Sequence, residues 1–263
     1  MDSDPAERVG HGGPTPDWPG GQEGPPEQGG QRADRYVFTA DPEKPTPARG
    51  ALLWLLLGNL WRCQAGGRSP IIVPMDLRAD LVRHYGWLRR YGLNDSHSGN
   101  ASVRVADAVW VTPTGACADT LEQVELVVCP IEGPPGPGAS LDAPLHLAVY
   151  QRNPEHGALL HSHGPYTVAL TLGGGDYDPP DFEAQYYFGR VRVLDIPYER
   201  YLSDAPAAVA DALKDHPITI VRGHGVYAAA PTLNLAYKWT CSLELSARTA
   251  YLAYTVGTLR RPA

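Results

Sequence analysis

From Asp76 onward the apolar positions fall into regular periods. Leu77, Leu81, Tyr85 and Leu88 recur at helical spacing with Arg and Asp between them, which predicts an amphipathic helix with one buried face. "ASVRVADAVWVTPTG" (101 to 115) predicts two short strands around a turn at Ala106-Asp107, and "VELVVCPI" (124 to 131) a third strand. A Gly/Pro loop (133 to 138) precedes "SLDAPLHLAVYQRN" (140 to 153), which reads as a helix. There Ser140 is the expected N-cap, Asp142 suits the positive end, and Pro144 is tolerated in the first turn. The strand "GALLHSH" (157 to 163), the helical "YTVALTL" (166 to 172) and the strand "VRVLDIPY" (191 to 198) follow. After them come the helix "APAAVADALKDH" (205 to 216), a strand, turn and strand in "ITIVRGHGVYAAA" (218 to 230), and a long final helix from Leu233 to Val256. Strands and helices are mixed, without a strict βαβ repeat.

The first part of the sequence differs. Residues 1 to about 50 are rich in Gly, Pro and Gln, and such a composition cannot bury enough apolar surface to offset ordering. Residues 1 to 74 are therefore expected to be a disordered or poorly structured leader, and residues 75 to 263 the functional domain. Met75 stands just before the first regular helix, so a start codon assigned too early would account for the leader. The longest apolar stretch, "ALLWLLLGNLW" (51 to 61), is about half the roughly 20 residues that a bilayer crossing needs. A net charge of -7 argues against a nucleic-acid surface. The four cysteines form no C-x-x-C pair, which argues against a thiolate zinc site and fits a reducing compartment, with the cytoplasm as the expected location.

The candidate chemistry lies in the histidines. In "GALLHSHGPY" the period of a strand puts His161 and His163 on one face, where two imidazoles can share a cation or simply sit at a strand end. His224 follows the apolar run "ITIV" between two glycines, which let the backbone turn sharply and leave room beside the ring. Three histidines from two strand ends are a plausible catalytic metal set, with further positions open to water or substrate. Asp142 supplies a carboxylate at a helix start. His146, one turn later on the same face, is read first as a packed or capping residue.

These segments together resemble the class II aldolase/adducin family, which includes fuculose-1-phosphate aldolase and ribulose-5-phosphate 4-epimerase. "GLNDSHSGNASVR", "VTPTG", "SLDAPLHLAVYQRNPEHGALLHSH", "VRGHG" and the "AYKWTCSLE" helix occur in family order over about residues 76 to 256. The resemblance implies a three-layer α/β/α domain around a largely antiparallel sheet, in a homotetramer with active sites at subunit interfaces. It implies that His161, His163 and His224 bind Zn2+, with Mn2+, Co2+ or Fe2+ as alternatives, and that Asp142 is the acid/base. Asn100, Thr114, Gly115 and Ser140 match positions that hold a substrate phosphate. A tyrosine acting on the aldehyde is expected some twenty residues after the H-x-H, where Tyr186 and Tyr187 are the nearest candidates.

The sequence departs from the family at three of these places. Asp142 is one methylene shorter than the expected glutamate, Leu141 replaces a serine hydroxyl, and His97 replaces a threonine. The expected activity is a metal-dependent aldolase that cleaves or forms a C–C bond of a small keto-sugar or sugar phosphate through a metal-bound enediolate. A sugar-phosphate 4-epimerase, a dehydratase or a decarboxylase on the same scaffold, and a non-catalytic adducin-like domain, are the alternatives.

Overall fold

The computed structural model describes residues 76–259. The leader, the apolar stretch 51 to 61 and Met75 lie outside the described residues.

Helix α1 (Leu77–Arg90) starts where Asp76 accepts the Arg78 N–H, and it buries Leu81, Tyr85 and Leu88 as their spacing predicts. Strands β1 (Asn100–Val105) and β2 (Ala108–Val111) form a hairpin whose register ends at Val105↔Ala108, around Ala106 with φ 52°. β3 (Val127–Pro130) adds antiparallel to β2. The chain continues through α2 (Ala143–Arg152), β4 (Ala158–Ser162), α3 (Pro165–Thr171) and α4 (Phe182–Tyr187). It ends with β5 (Val193–Leu194), α5 (Tyr201–Asp215), β6 (Ile218–Val221), β7 (Gly225–Ala230) and α6 (Leu233–Val256).

The strand order is β3-β2-β1-β4-β7-β6-β5. Every pairing is antiparallel except β5 with β6. The central strand β4 is buried along its whole length. Alternation sends Leu159 to one face, where Tyr227 and Val109 pack against α2 and α5. Ala158 and Leu160 point to the other face, against α1 and α6. Further along that second face, Ile218, Ile220, Val226 and Ala228 meet α4 and α6. Helices thus cover both faces of a largely antiparallel sheet, which is the three-layer arrangement expected. Leu159 and Leu160 are both fully buried, and each such side chain contributes about 1.5–3 kcal/mol. No described helix is long and apolar enough to cross a membrane.

Three local expectations are corrected. Helix α2 starts at Ala143, with Asp142 rather than Ser140 in the N-cap position. Ser140 instead closes the preceding turn: its Oγ accepts the Asp142 N–H at 3.2 Å and its carbonyl accepts the Ala143 N–H at 2.9 Å. The strand expected over 191 to 198 is reduced to Val193–Leu194. Val191 pairs separately with Tyr177, and from Tyr198 the chain turns into a short 3-10 segment after Pro197, which has no N–H for a ladder. Helix α5 begins four residues before the expected Ala205 and carries Pro206 inside its first turns, so Tyr201 stands at the helix start.

Candidate metal centre

The site is built on one row of the sheet. Register places Asn100 of β1 opposite His161 of β4, and His161 opposite Tyr227 of β7. The three neighbours stand on the face covered by α2 and α5. The first residue of α5, Tyr201, and the residue preceding α2, Asp142, close over that row.

His161 is buried, and its Nδ1 lies 3.0 Å from the Val226 carbonyl oxygen. A carbonyl only accepts, so Nδ1 carries the proton and the Nε2 lone pair is free. That Nε2 is 2.9 Å from Nε2 of His163 and 2.9 Å from Nε2 of His224. Three nitrogens from two loop–strand junctions thus converge, all within 4.8 Å of one another. Burial and the neighbouring His163 push His161 well below the ordinary imidazole value; burial and His224 push His163 down to about 4. Burial lowers His224 as well. Neutral rings with converging lone pairs are the donor set that a divalent cation takes from three protein ligands, and the residues present fit such an ion.

The backbone makes this convergence possible. Gly223 turns the chain with φ +67°, which an L side chain rarely adopts. A Cβ on Gly225 would lie 2.6 Å from His163 Cδ2 and 2.9 Å from His161 Cε1, and would also strike the Ser162 carbonyl. Asn94 ties down the end of β4. Its Oδ1 accepts the His163 N–H at 2.9 Å, and its amide donates to the His161 carbonyl at 3.4 Å.

Beside the histidines, Asp142 Oδ2 is 3.8 Å from His161 Nε2. The carboxylate makes no cap to its own helix. Instead Oδ2 accepts from Asn100 Nδ2 at 2.9 Å and from the Tyr227 hydroxyl at 3.1 Å, while Oδ1 accepts from the Tyr201 hydroxyl at 2.9 Å. Burial pushes this carboxyl up, but His161, the Asn100 amide, His146 and the Tyr201 hydroxyl outweigh it and hold Asp142 below the ordinary range. Burial and the Asp142 charge push both phenols above their ordinary value, so both stay protonated donors.

The support reaches into the interior. Because Asn100 donates to Asp142, its Oδ1 accepts, and His146 Nε2 donates to it at 2.6 Å. His146 Nδ1 then accepts from Ser102 Oγ at 2.6 Å, and Ser102 accepts from the Tyr150 hydroxyl at 2.8 Å. Every donor in this buried chain points toward the carboxylate. Burial lowers His146 to about 4, which keeps the ring neutral and the polarity fixed. His146 is packed, as its first reading has it, and it also orients the site through Asn100.

The histidines and Asp142 line a cleft of about 520 Å³. His97, Asn100, Thr114, Gly115 and Ser140 line it too, and so does Leu141, which is 71% exposed. Among the described residues, no Lys or Arg lines the cleft. Tyr186 and Tyr187 do not line it either. They lie on α4, which packs against α6 on the opposite face of the sheet from Asp142. Tyr187 packs by Trp239 under the Lys238 ammonium, and Tyr186 is 78% exposed. Tyr198 and Tyr201 line the cleft and Tyr227 reaches Asp142 from beneath it, and sequence reasoning misses all three. In "VYAAA" Tyr227 is the one polar-tipped side chain of a buried strand, a signal that could have found it; Tyr201 lies just before the apolar pattern of its helix.

The sequence profile of the Class II Aldolase and Adducin N-terminal domain matches residues 79–251. An L-fuculose phosphate aldolase of Escherichia coli is 28% identical over 167 residues, which cover 61% of this chain and 76% of that protein. A 3-oxo-tetronate 4-phosphate decarboxylase of Haemophilus influenzae is 35% identical over 162 residues, or 57% of this chain and 75% of the relative. Among solved structures, the L-fuculose-1-phosphate aldolase of Thermus thermophilus superposes with a TM-score of 0.65 at 32% identity, covering 71% of this chain and 98% of that one.

Proposed function

The chain belongs to the class II aldolase and adducin family, and from that we propose a metal-dependent aldolase that cleaves or forms a C–C bond of a small keto-sugar phosphate. The observation that carries this reading is the convergence of three neutral imidazole nitrogens beside a carboxylate held by three donors. His161, His163 and His224 would hold the ion, and the all-imidazole set favours zinc over manganese, cobalt or iron. A divalent cation there supplies Lewis-acid stabilisation of negative charge on substrate oxygen. Asp142, kept ionised by its donors, is the base on which the proton that leaves the substrate carbon comes to rest and from which it returns in the reverse direction. Thr114, Gly115 and Ser140 receive the phosphate through neutral donors, with His97 beside them. Leu141 leaves this pocket one hydroxyl poorer than the family pattern.

A decarboxylase is the second reading, and the 35% identity to a 3-oxo-tetronate 4-phosphate decarboxylase favours it. The two reactions share chemistry. Cleavage of a ketose 1-phosphate between C3 and C4, and loss of CO2 from a 3-oxo-tetronate 4-phosphate, both leave dihydroxyacetone phosphate. The deciding experiment offers the zinc-loaded protein a panel of ketose 1-phosphates and the 3-oxo acid phosphate, and identifies the products. Aldehyde release supports the aldolase, CO2 release supports the decarboxylase, and no turnover of either class contradicts both. The assembly we propose is a homotetramer with active sites between subunits. The exposed Leu245, Leu252 and Val256 on α6 support an interface, and Tyr186 on the outside of α4 is free to act in a neighbour's cleft.

A further inference from the structure

Asp142 lines the cleft but offers it little surface. Only 7% of the residue is exposed, and both oxygens are taken. Oδ2 is closed by Asn100 and by Tyr227, which is fully buried. Oδ1 faces the Tyr201 hydroxyl, which also touches the Tyr227 hydroxyl, and Tyr201 is half-buried and lines the cleft. Its ring rests on His224, with centroids 4.6 Å apart and planes at 31°, which sets the ring beside the histidine cluster. Of the three donors to Asp142, Asn100 is an amide that does not exchange its proton in catalysis, and Tyr227 does not reach the cleft.

We infer that Tyr201, and not Asp142 directly, exchanges the proton with the substrate carbon. This inference rests on the carbon-acid chemistry proposed above and adds to it the residue that touches the substrate. In the forward step the substrate C–H bond breaks and its proton passes to the Tyr201 oxygen. In the same step the Tyr201 O–H proton passes to Asp142 Oδ1. The electron pair of the C–H bond stays on the substrate, conjugated with its carbonyl. Asp142 ends as a neutral acid and Tyr201 ends as it began, and the reverse step restores both. The hydrogen bond from Tyr201 to Asp142 already has the direction that this relay needs. This role differs from that expected of Tyr186 and Tyr187, which concerns the aldehyde.

The test uses the full chain loaded with zinc and dihydroxyacetone phosphate as the probe. Exchange of the hydrogens on its hydroxymethyl carbon with D2O is followed by NMR, and zinc content is measured on the same samples. Tyr201→Phe keeps the ring against His224. It is expected to retain its zinc and to lose exchange about 100-fold, the scale of a general acid–base contribution. A Tyr201→Phe protein that exchanges at the wild-type rate overturns the inference. Should that variant lose its zinc, Tyr201→3,5-difluorotyrosine decides. It keeps the hydroxyl but makes it more acidic, so a proton carrier changes its rate severalfold, whereas an unchanged rate overturns the inference. A wild-type protein that exchanges nothing fails before any substitution is made; that result contradicts the proposed reaction, and the relay falls with it.

Discussion

The rings of His161 and Tyr227 lie parallel, 4.0 Å apart between centroids, on adjacent strands where register sets them opposite each other. One tyrosine therefore has two duties: its face braces an imidazole of the candidate metal set, and its hydroxyl donates to Asp142. The two can be separated. Tyr227→Phe keeps the stacking and removes one of three donors. Zinc content is expected to stay unchanged, with a loss of about 1 kcal/mol in stability and roughly tenfold in kcat. Tyr227→Ala removes the ring as well, which is expected to cost about 3–5 kcal/mol and to weaken zinc binding. Denaturant melts and zinc analysis of the pair check both outcomes.

The buried His146 gives the metal-free protein an acid sensitivity. The folded ring titrates at about 4 and the unfolded one at its ordinary 6.5. Between these values the unfolded chain binds a proton that the folded chain does not, so stability falls as pH drops through that window and is unaffected above it. The full effect is about 3 kcal/mol. His161 and His163 add slopes of the same sign. Comparing wild type with His146→Gln by urea melts, with a chelator present, isolates the share of His146. The variant is expected to be less stable at neutral pH and to lose less on acidification. Equal slopes would contradict the account.

Gly225 is a tight point of the cradle. Gly225→Ala puts a methyl group against both His161 and His163, where neither ring has room to retreat without moving its nitrogen. The expected result is a folded but destabilised protein, by about 1–3 kcal/mol, with zinc affinity reduced by more than about tenfold. Isothermal titration with zinc, beside circular dichroism, measures both. Gly115 lines the same cleft with open space where its Cβ would stand but with φ +67°, so Gly115→Ala is expected to cost about 1–2 kcal/mol of backbone strain and to leave zinc binding unchanged.

What the sequence makes legible follows the range of the forces involved. Period-two alternation places His161, and the glycines around His224 mark a turn where a ring has space; both are local signals, and the fold brings these residues together with His163. The amphipathic faces of α1 and α6 and the β1–β2 hairpin are likewise local. The surroundings of Asp142 are not. Its three donors come from 42, 59 and 85 residues away in sequence, so no spacing rule points to them. Local rules also misplace the cap of α2, because long-range donors take the carboxylate that a capping rule leaves idle. Tyr201 escapes them because the apolar pattern of α5 becomes regular only after Pro206, whereas the helix begins a turn earlier. The family resemblance points to Tyr186 and Tyr187; α4 packs Tyr187 by Trp239 of α6 and leaves Tyr186 exposed, both away from the cleft of their own chain.

The claim on which the rest stands is that His161, His163 and His224 together hold a divalent ion. Elemental analysis of the full chain, purified from zinc-replete medium and dialysed, measures it directly. The account predicts about one equivalent of zinc per chain in the wild type and its loss, together with the proton exchange, in His161→Ala. A wild-type protein that retains no divalent ion, or a His161→Ala protein that retains as much as wild type, would contradict it.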